Sequence, residues 1–345
     1  MALSVNFECR EMPLRNPFTI SRYTVTIQKT AIVTISDGEY SGYGEATANP
    51  YYNSTVEKLS ASINSVKSIV ESAGNLHPKD LWNKIAPLLN DDYFALCAID
   101  VAYWDYFARK HKKPLRSYWS PPDIYTPMTS YTIGIDSIDV MMQKIFDMPW
   151  PIYKIKLGTE ADIEIVRELR KVTNSIFSVD ANCGWTADQA IEYSNLLKDL
   201  NVEFIEQPLR ADDIEGMKRV KAESALPVIA DESCQREEDV LACADLFHGI
   251  NIKLMKCGGI TPALRMIKKA DELKLRTMAG CMTESTIGIS ALAQLAPLLR
   301  YLDADGAMLL SEDIADGVRF ESGEIRYPAA NGTGANLRHE KSTEC

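Results

Sequence analysis

Short apolar runs alternate with helical patterns along much of the chain. From about residue 124 to residue 310, eight candidate strands are separated by stretches in which apolar residues recur with the period of a helix. The candidate strands are residues 128–133, 153–157, 178–179, 204–205, 228–230, 250–254, 276–279 and 302–309. Because alternating strands and helices favour a parallel sheet, this pattern predicts a closed (β/α) barrel.

The region before residue 124 has a different pattern. Residues 30–35 alternate as a strand, Asp37 and Gly38 are typical of a two-residue hairpin turn, and residues 40–45 return as the partner strand. An N-cap at Asn53 or Ser54 begins the first of three helical patterns. These patterns cover residues 55–70, 78–89 and 94–108. Strands followed by helices predict an α+β module.

The chain is long enough for two domains. A barrel needs about 200 to 250 residues, and a chain of 345 residues leaves room for a second module. We expect an α+β domain at residues 1–123, the barrel at 124–310 and a C-terminal segment at 311–345 that returns toward the first domain. Within this segment we expect a hairpin or returning stretch at 313–327 and a polar, mobile end.

Five charged residues end successive short apolar runs. Lys156, Asp180, Glu206, Asp231 and Lys253 are separated by 24, 26, 25 and 22 residues. Each gap is about the length of one strand, one helix and two loops. The C-terminal ends of barrel strands form the active site, so we expect these side chains to meet there.

The three acids of this series suit a metal ion. Asp180, Glu206 and Asp231 would repel one another at the barrel mouth unless they are protonated or bound to a cation. Hard oxygen ligands suit Mg²⁺, which also keeps positions for water or a substrate oxygen. The alternative is that each acid caps the helix after its strand, which explains one acid better than three in register.

The lysines suit proton transfer. Lys154 and Lys156 alternate along one strand and are expected to point to the same face. We expect a second amine and the metal to lower a lysine pKa toward a value at which the amine can accept a proton. Lys253 lies four strands later, on the opposite wall. Two amines on opposite sides of a carbon that is held at the metal site predict racemisation or epimerisation of that carbon.

Composition narrows the class of partner. The formal net charge of −11 and the lack of a Lys/Arg stripe argue against binding of nucleic-acid phosphates. The eight cysteines show no C-x-x-C pair, and Asn6, Glu8 and Arg10 interrupt the apolar start. We therefore expect reduced thiols, no signal peptide and a cytoplasmic location. No apolar run approaches the roughly 20 residues that span a bilayer, so no membrane partner is expected.

The barrel motifs resemble those of a known family. The enolase superfamily, muconate lactonising enzyme subgroup, has successive motifs similar to Lys154-Ile155-Lys156, Asp180-Ala181-Asn182, Glu206-Gln207-Pro208, Asp231-Glu232-Ser233 and residues 251–259. The resemblance covers nearly the whole chain and implies a modified TIM (β/α)7β barrel with an N-terminal α+β capping domain that carries specificity loops. It also implies one Mg²⁺ per subunit on the three acids, with Lys156 and Lys253 as catalytic bases. A homo-oligomer is compatible with it.

A second resemblance concerns the eighth strand. Asp303 and Asp305 resemble the Asp-x-Asp signature of dipeptide epimerases. Alternation along a strand puts both acids on one face, where they can hold a substrate α-ammonium, although a solvated acidic turn is the alternative. The resemblance implies a small dipeptide whose C-terminal carboxylate binds Mg²⁺ and whose adjacent Cα lies between Lys156 and Lys253. Lys154 and the metal would then stabilise an ene-diolate.

Four further residues are weaker site candidates. Thr132 ends the first barrel strand and Thr283 follows the seventh, so both are expected to line the substrate pocket unless they are ordinary loop residues. Glu284 matches a position that is acidic in related enzymes, and its role is open. Lys256 is predicted to lie in solvent or behind the site, because an offset of three from Lys253 places it on the other side of an extended strand.

Substrate preference is predicted from the loop at residues 16–23. By the resemblance, epimerases that act on Ala-Glu place an arginine near this point to meet the distal carboxylate. Arg22 lies one residue early, and Ile20 and Tyr23 suit uncharged side chains. The loop therefore favours Ala-Xaa dipeptides in which Xaa is small or apolar.

Other reactions fit less well. L-Ala-D/L-Glu epimerisation is one alternative, and cycloisomerase or o-succinylbenzoate synthase chemistry on the same scaffold is another, although those last substrates have no ammonium for an acidic pair. Acid-sugar dehydration is disfavoured because no histidine ends a late barrel strand. A non-catalytic barrel would have no need for so many buried charges.

Overall fold

The N-terminal part of the protein is a three-stranded antiparallel sheet covered by helices. The computed structural model describes residues 3–19, 24–121 and 124–338. The predicted hairpin is confirmed, since residues 37–40 join the second and third strands of the sheet. In order across the sheet, the strands are β1 (Ser4–Thr19), β2 (Thr24–Ser36) and β3 (Ser41–Thr47). The three predicted helices are α1 (Val56–Glu71), α2 (Pro78–Ile85) and α3 (Tyr93–Lys110).

Two glycines allow α3 to lie directly on β3. A Cβ at Gly44 would lie 2.0 Å from the carbonyl oxygen of Ala98, and a Cβ at Gly42 would lie 2.1 Å from the amide nitrogen of Tyr106. Any side chain at these positions would force the helix away from the sheet. The close packing places α3 between the sheet and the barrel.

Eight parallel strands form the predicted barrel. A parallel bridge between Thr129 and Leu302 brings the last strand beside the first. In spatial order, the strands are β4 (Tyr131–Ile133), β5 (Ile152–Lys156), β6 (Ile176–Asp180), β7 (Val202–Glu206), β8 (Val228–Ala230), β9 (Gly249–Ile252), β10 (Arg276–Gly280) and β11 (Tyr301–Asp303).

Helices follow the first seven barrel strands, whereas the last strand enters a 3₁₀ turn at Gly306–Leu309. Two helices, one of them a single turn, follow β9. In chain order, the helices are α4 (Ile138–Asp147), α5 (Asp162–Arg170), α6 (Ala187–Asp199), α7 (Ile214–Glu223), α8 (Asp239–Leu246), α9 (Leu254–Cys257), α10 (Ile260–Glu272) and α11 (Thr286–Ala293). The arrangement confirms the expected (β/α)7β barrel with an α+β domain before it.

Two local predictions are wrong. The eighth strand ends at Asp303 rather than at Leu309, because the backbone leaves the extended region at Asp305 (φ −90°, ψ 2°) and begins the 3₁₀ turn. The N-cap of α1 is Thr55, whose side chain accepts a hydrogen bond from the amide of Lys58, rather than Asn53 or Ser54.

Carboxylates of the N-terminal domain cap two barrel helices. Glu45 of β3 accepts a hydrogen bond of 3.0 Å from the amide of Ser285, before α11. Asp100 of α3 accepts one of 2.8 Å from the amide of Thr261, in the first turn of α10. A Cβ at Gly259 would lie 2.4 Å from Asp100 Oδ2, so this glycine makes room for the carboxylate. These contacts anchor the N-terminal domain on the barrel.

The C-terminal segment returns across the molecule. Strand β12 (Ala315–Asp316) pairs with β15 (Asn336–Leu337), and β13 (Arg319–Glu321) forms a hairpin with β14 (Glu324–Arg326), as predicted for this stretch. The amide of Leu115 donates to the carbonyl of Gly332 at 2.7 Å, which ties the segment to the N-terminal domain. The division at residues 123 and 310 stays a prediction.

Most of the cysteines that the structure describes are outside disulfide bonds. Cys9 is disulfide-bonded, so the expectation of reduced thiols throughout is wrong at this position. Six others form no disulfide bond, namely Cys97, Cys183, Cys234, Cys243, Cys257 and Cys281. Across the part of the chain that the structure describes, no helix combines the length and the apolar character needed to cross a membrane.

Candidate active site

The predicted charged residues meet at the C-terminal ends of the barrel strands. Strand register places Lys156 beside Asp180, and Asp180 beside Glu206. Asp231 follows the last residue of β8, and Lys253 follows the last residue of β9. All five are buried, since each is at most 9% exposed. Parallel pairing of successive strands brings side chains that are far apart in sequence to the same end of the barrel.

Three acids form a compact oxygen cluster. Asp180, Glu206 and Asp231 each offer a carboxylate oxygen, and these oxygens lie within 4.8 Å of one another. Asn251 donates from Nδ2 to Glu206 Oε1 at 2.8 Å, and the amide of Asn182 donates to Asp180 Oδ1 at 2.9 Å, which holds two of the carboxylates in place. A buried set of hard oxygen donors fits Mg²⁺.

Three lysine amines face this cluster. Lys154 Nζ lies 2.8 Å from Glu206 Oε2 and 3.2 Å from Asp180 Oδ2. Lys156 Nζ lies 2.6 Å from Asp180 Oδ2, and Lys253 Nζ lies at hydrogen-bond distance from the third acid. Because β5 and β9 are four positions apart in an eight-stranded barrel, Lys156 and Lys253 line one cavity from opposite walls.

The carboxylates raise the pKa of two of these amines, those of Lys154 and Lys253. Burial lowers the pKa of Lys253, but Asp231, Tyr52 and Glu206 together outweigh it and raise that pKa well above the usual value. The pKa of Lys154 is likewise raised by its acidic neighbours against the effect of burial. The lowering expected from the metal and a second amine stays a prediction, because a cation bound to the acids would oppose their effect on the amines.

Burial and the lysine amines also give the acids different pKa values. Burial raises the pKa of Asp180, but Lys156 and Lys154 outweigh it and bring the pKa to about 2. Burial raises the pKa of Glu206 to about 7, with Lys154 opposing this effect. The cluster thus holds charge unevenly, and a cation placed among the three oxygens would favour ionisation of all of them.

The acidic pair of the eighth strand also reaches the cavity. Asp303 Oδ1 accepts a hydrogen bond from Ser130 Oγ at 3.0 Å, and Asp303 Oδ2 accepts one from Lys154 Nζ at 2.9 Å. Asp305 Oδ2 accepts from the amide of Thr132 at 2.6 Å. Strand alternation does not explain the pair, since Asp305 lies beyond the end of β11. Asp303 ends the strand, and the turn after it brings Asp305 to the same cavity.

The remaining candidates divide into three groups. Thr132 and Thr283 line the cavity, as predicted. Glu284 does not line it. Its side chain accepts a hydrogen bond from the amide of Met282 at 2.9 Å, and burial, followed by the charge of Glu45, raises its pKa to about 8. Arg22, the candidate specificity residue, lies outside the described residues, as do Ile20 and Tyr23.

The prediction for Lys256 is wrong in its geometry. The chain turns helical at Leu254, so Lys256 lies in α9 and not on an extended strand. Its side chain is fully buried and its Nζ lies 2.5 Å from Asp231 Oδ1, so the solvated alternative is excluded. It stands behind Asp231, which agrees with the other alternative.

Several cavity residues were missed by the sequence reasoning. They come from the N-terminal domain and from the ends of β10 and β11, and most are aromatic, amide-bearing or apolar. The Pro50-Tyr51-Tyr52 turn after β3 is the signal that could have pointed to them, since surface loops with aromatic side chains often contact ligands. The missed residues include Val25, Gln28, Asn49, Tyr51, Tyr52, Met282 and Leu309.

Comparisons with known proteins agree with this geometry. Residues 2–118 match the mandelate racemase / muconate lactonizing enzyme N-terminal domain, and residues 141–341 match the enolase C-terminal domain-like family. An L-Ala-D/L-amino acid epimerase of Flavobacterium johnsoniae is 55% identical over 326 residues, which are 94% of this chain and 97% of that protein. One from a Maribacter strain is 47% identical over 97% of this chain and 99% of its own.

A solved structure shares the whole fold. The dipeptide epimerase of Enterococcus faecalis V583, in complex with Mg and the dipeptide L-Leu-L-Tyr, superimposes with a TM-score of 0.91 at 30% identity, covering 97% of this chain and 99% of that one. The domain matches together span the cap and the barrel. This chain therefore belongs to the mandelate racemase / muconate lactonizing enzyme family of the enolase superfamily.

Proposed function

We propose that this protein is a Mg²⁺-dependent dipeptide epimerase that inverts the Cα of the C-terminal residue of Ala-Xaa dipeptides. The observation that carries the proposal is the placement of Lys156 and Lys253 on opposite walls of one cavity, with the acid cluster between them. Inversion of a carbon requires a proton to leave one face and another to arrive on the opposite face. Two amines so placed can serve one face each.

The chain's own groups account for binding and proton transfer. Asp180, Glu206 and Asp231 would hold one Mg²⁺, which when bound supplies positive charge beside the substrate carboxylate. One lysine accepts the Cα proton and the other donates its own proton to the opposite face, so the protonation states of the pair are exchanged after each turnover. Lys154, buried among acids, places an ammonium where negative charge builds up on the carboxylate oxygens.

The acidic pair accounts for the other end of the dipeptide. Asp303 and Asp305 line the same cavity, and both are buried. A buried carboxylate favours a cationic partner, and the α-ammonium of a dipeptide is such a partner. This feature favours epimerisation over cycloisomerase or o-succinylbenzoate synthase chemistry, because substrates of those reactions carry no ammonium.

The cavity wall supports a small or apolar second residue. Phe18, Val25 and Leu309 contribute apolar surface to it. Among the described lining residues, the cationic groups are the three lysines, and each lies within 3 Å of an acid. None of them is placed to receive the distal carboxylate of a glutamate residue. The names of the two similar epimerases, which refer to L-Ala followed by an amino acid, also support Ala in the first position.

Deuterium uptake tests the proposal directly. The purified protein is incubated with Mg²⁺ in D₂O with Ala-Xaa dipeptides, and mass spectrometry follows the Cα of the second residue. We expect a single-deuterium gain, with Ala-Val and Ala-Ala exchanging faster than Ala-Glu. N-acetylated Ala-Val, which lacks the ammonium, is the matched control and should exchange far more slowly. A lack of exchange with every dipeptide would contradict the proposal and favour chemistry on a substrate without an amine.

Two further predictions accompany the proposed activity. A cytoplasmic location follows from the sequence interpretation above, and a homo-oligomer follows from the family resemblance. Both stay predictions.

A further inference from the structure

Lys256 is the most enclosed of the four lysines around the barrel mouth. Its side chain has 0% relative exposure, compared with 2% for Lys154, 10% for Lys156 and 11% for Lys253. The other three line the cavity, whereas Lys256 is not among the residues found to line it. An amine without access to the cavity cannot exchange a proton with a substrate there.

The ammonium of Lys256 is saturated by protein oxygens. Its Nζ lies 2.5 Å from Asp231 Oδ1 and 2.6 Å from the carbonyl oxygen of the same residue. The carbonyl oxygens of Cys234 and Asn251 lie 3.0 and 3.3 Å away. An ammonium has three N–H donors, so these four acceptors leave none for another ligand. A lysine bound in this way holds neighbouring groups in place.

The contact with Asp231 indicates which group Lys256 holds in place. Lys256 binds one oxygen of that carboxylate, Oδ1, and Lys253 binds the other, Oδ2, at 2.9 Å. Asp231 follows β8, Cys234 lies in the next loop, and Asn251 belongs to β9, so one ammonium joins three segments. The contact fixes the rotation of the carboxylate, and partners of this kind orient metal ligands in other proteins.

We propose that Lys256 is a positioning residue that orients Asp231 as a ligand of the divalent cation. The inference rests on the metal site of the proposed function. It assigns the second lysine of the Lys253-Leu254-Met255-Lys256 stretch to the metal site and the first to the substrate. The helical turn of α9 makes this division, because it brings both amines to the same carboxylate from different sides.

Mn²⁺ binding tests the positioning role of Lys256 separately from proton transfer to a substrate. The full chain is titrated with Mn²⁺, and free Mn²⁺ is measured by electron paramagnetic resonance without any dipeptide. Lys256→Met should raise the Kd for Mn²⁺ by about 10–100-fold, the usual effect of losing a partner of a metal ligand. Lys171→Met, which removes an amine that is 65% exposed and lies beside Glu168, is the matched control and should keep the wild-type Kd. All variants are compared well below their melting temperatures, so lower stability alone does not affect the reading.

The outcomes distinguish the two proposals. A wild-type Kd in a folded Lys256→Met variant would overturn the positioning role and leave the epimerase proposal standing. A wild-type protein that binds no Mn²⁺ would overturn the cation site and the inference with it. If Lys256→Met does not fold, Lys256→Gln takes its place, since an amide keeps one donor for Asp231. An intermediate Kd in the Gln variant supports the inference, and a wild-type Kd contradicts it.

Discussion

Buried carboxylates occupy two regions of this protein and are stabilised differently in each. At the barrel mouth, Asp180 and Asp231 lie 2.6 and 2.9 Å from lysine amines. Between the N-terminal domain and the barrel, Glu45 and Asp100 instead accept hydrogen bonds from backbone amides and hydroxyls at the starts of α11 and α10. The first set is paired with charges that can gain or lose protons, and the second with donors that cannot.

The pKa values follow this difference. Lysine amines bring the pKa of Asp180 to about 2 although burial acts in the other direction. Burial raises the pKa of Asp100 to about 7 despite its bonds to Thr261. Amines therefore keep Asp180 charged, whereas amide donors hold Asp100 without full charge compensation. The mouth is suited to moving protons, and the interface is suited to keeping the cap in one place.

The largest expected effect comes from removing an amine at the mouth. Lys156→Ala and Lys253→Ala should each slow inversion by about 10²–10⁴-fold, because each removes the acid or base of one face. Each variant should still exchange the Cα proton of one isomer with D₂O without inverting it, and the two variants should act on opposite isomers. Chiral chromatography measures inversion, and mass spectrometry measures exchange.

The control for these variants is an amine on the surface. Lys171 is 65% exposed and forms an ion pair with Glu168 at the end of its helix. Lys171→Ala should keep the wild-type rate. Inversion at the wild-type rate in either mouth variant would show that the wrong base has been assigned.

The second effect concerns substrate binding at the mouth. Asp303→Asn should raise the KM for Ala-Xaa dipeptides by about 10–100-fold, since a hydrogen bond to a charged group contributes roughly 1.5–3 kcal/mol. Initial rates over a range of dipeptide concentrations measure this change. Asp212→Asn, at a carboxylate that is 71% exposed and bound to Arg210, is the control. An unchanged KM in Asp303→Asn would argue against ammonium binding at this acid.

The sequence predicted one of these regions far better than the other. The mouth was predicted because each charged residue lies at the end of an apolar strand. The C-terminal ends of parallel strands lie together at one end of the barrel. The cap–barrel contacts were not found, since Glu45 meets Ser285 across 240 residues of chain and no local pattern encodes that pairing. Lys256 was misplaced for a related reason. Its position depends on one helical turn after β9, which is too short to produce a periodic pattern.

Replacement of a glutamate by glutamine should lower the free energy of unfolding at the interface but not at the mouth. Glu45→Gln should lower the free energy of unfolding by about 1–3 kcal/mol, because an amide nitrogen would face the N–H groups of Ser285 and Gly288. Glu206→Gln should not lower it when EDTA is present, since burial already disfavours that carboxylate and neutralisation relieves its repulsion with the other acids. Urea unfolding measures the free energy of unfolding of both variants. Equal losses would show that the two regions do not differ in this way.

The smallest effect is a change in pH dependence at the interface. Asp100 has a pKa of about 7 in the folded protein against an ordinary 3.8, so the folded state binds a proton more tightly than the unfolded state. Its contribution to stability is therefore present at low pH and is lost as the pH rises through this range, with a slope of up to about 1.4 kcal/mol per unit. Asp100→Asn lacks this titration. The difference in unfolding free energy, variant minus wild type, should rise from pH 5 to pH 7 and then level off.

Urea unfolding at pH 5, 6, 7 and 8 measures this difference. The sign of its slope against pH tests the prediction. Asp212→Asn is the control, because Arg210 lowers the pKa of that exposed acid and any slope should have the opposite sign. A flat difference for Asp100→Asn would mean that the amides at the start of α10 compensate the charge fully. The interface would then resemble the mouth in its electrostatics, and the distinction between the two regions would rest on proton mobility alone.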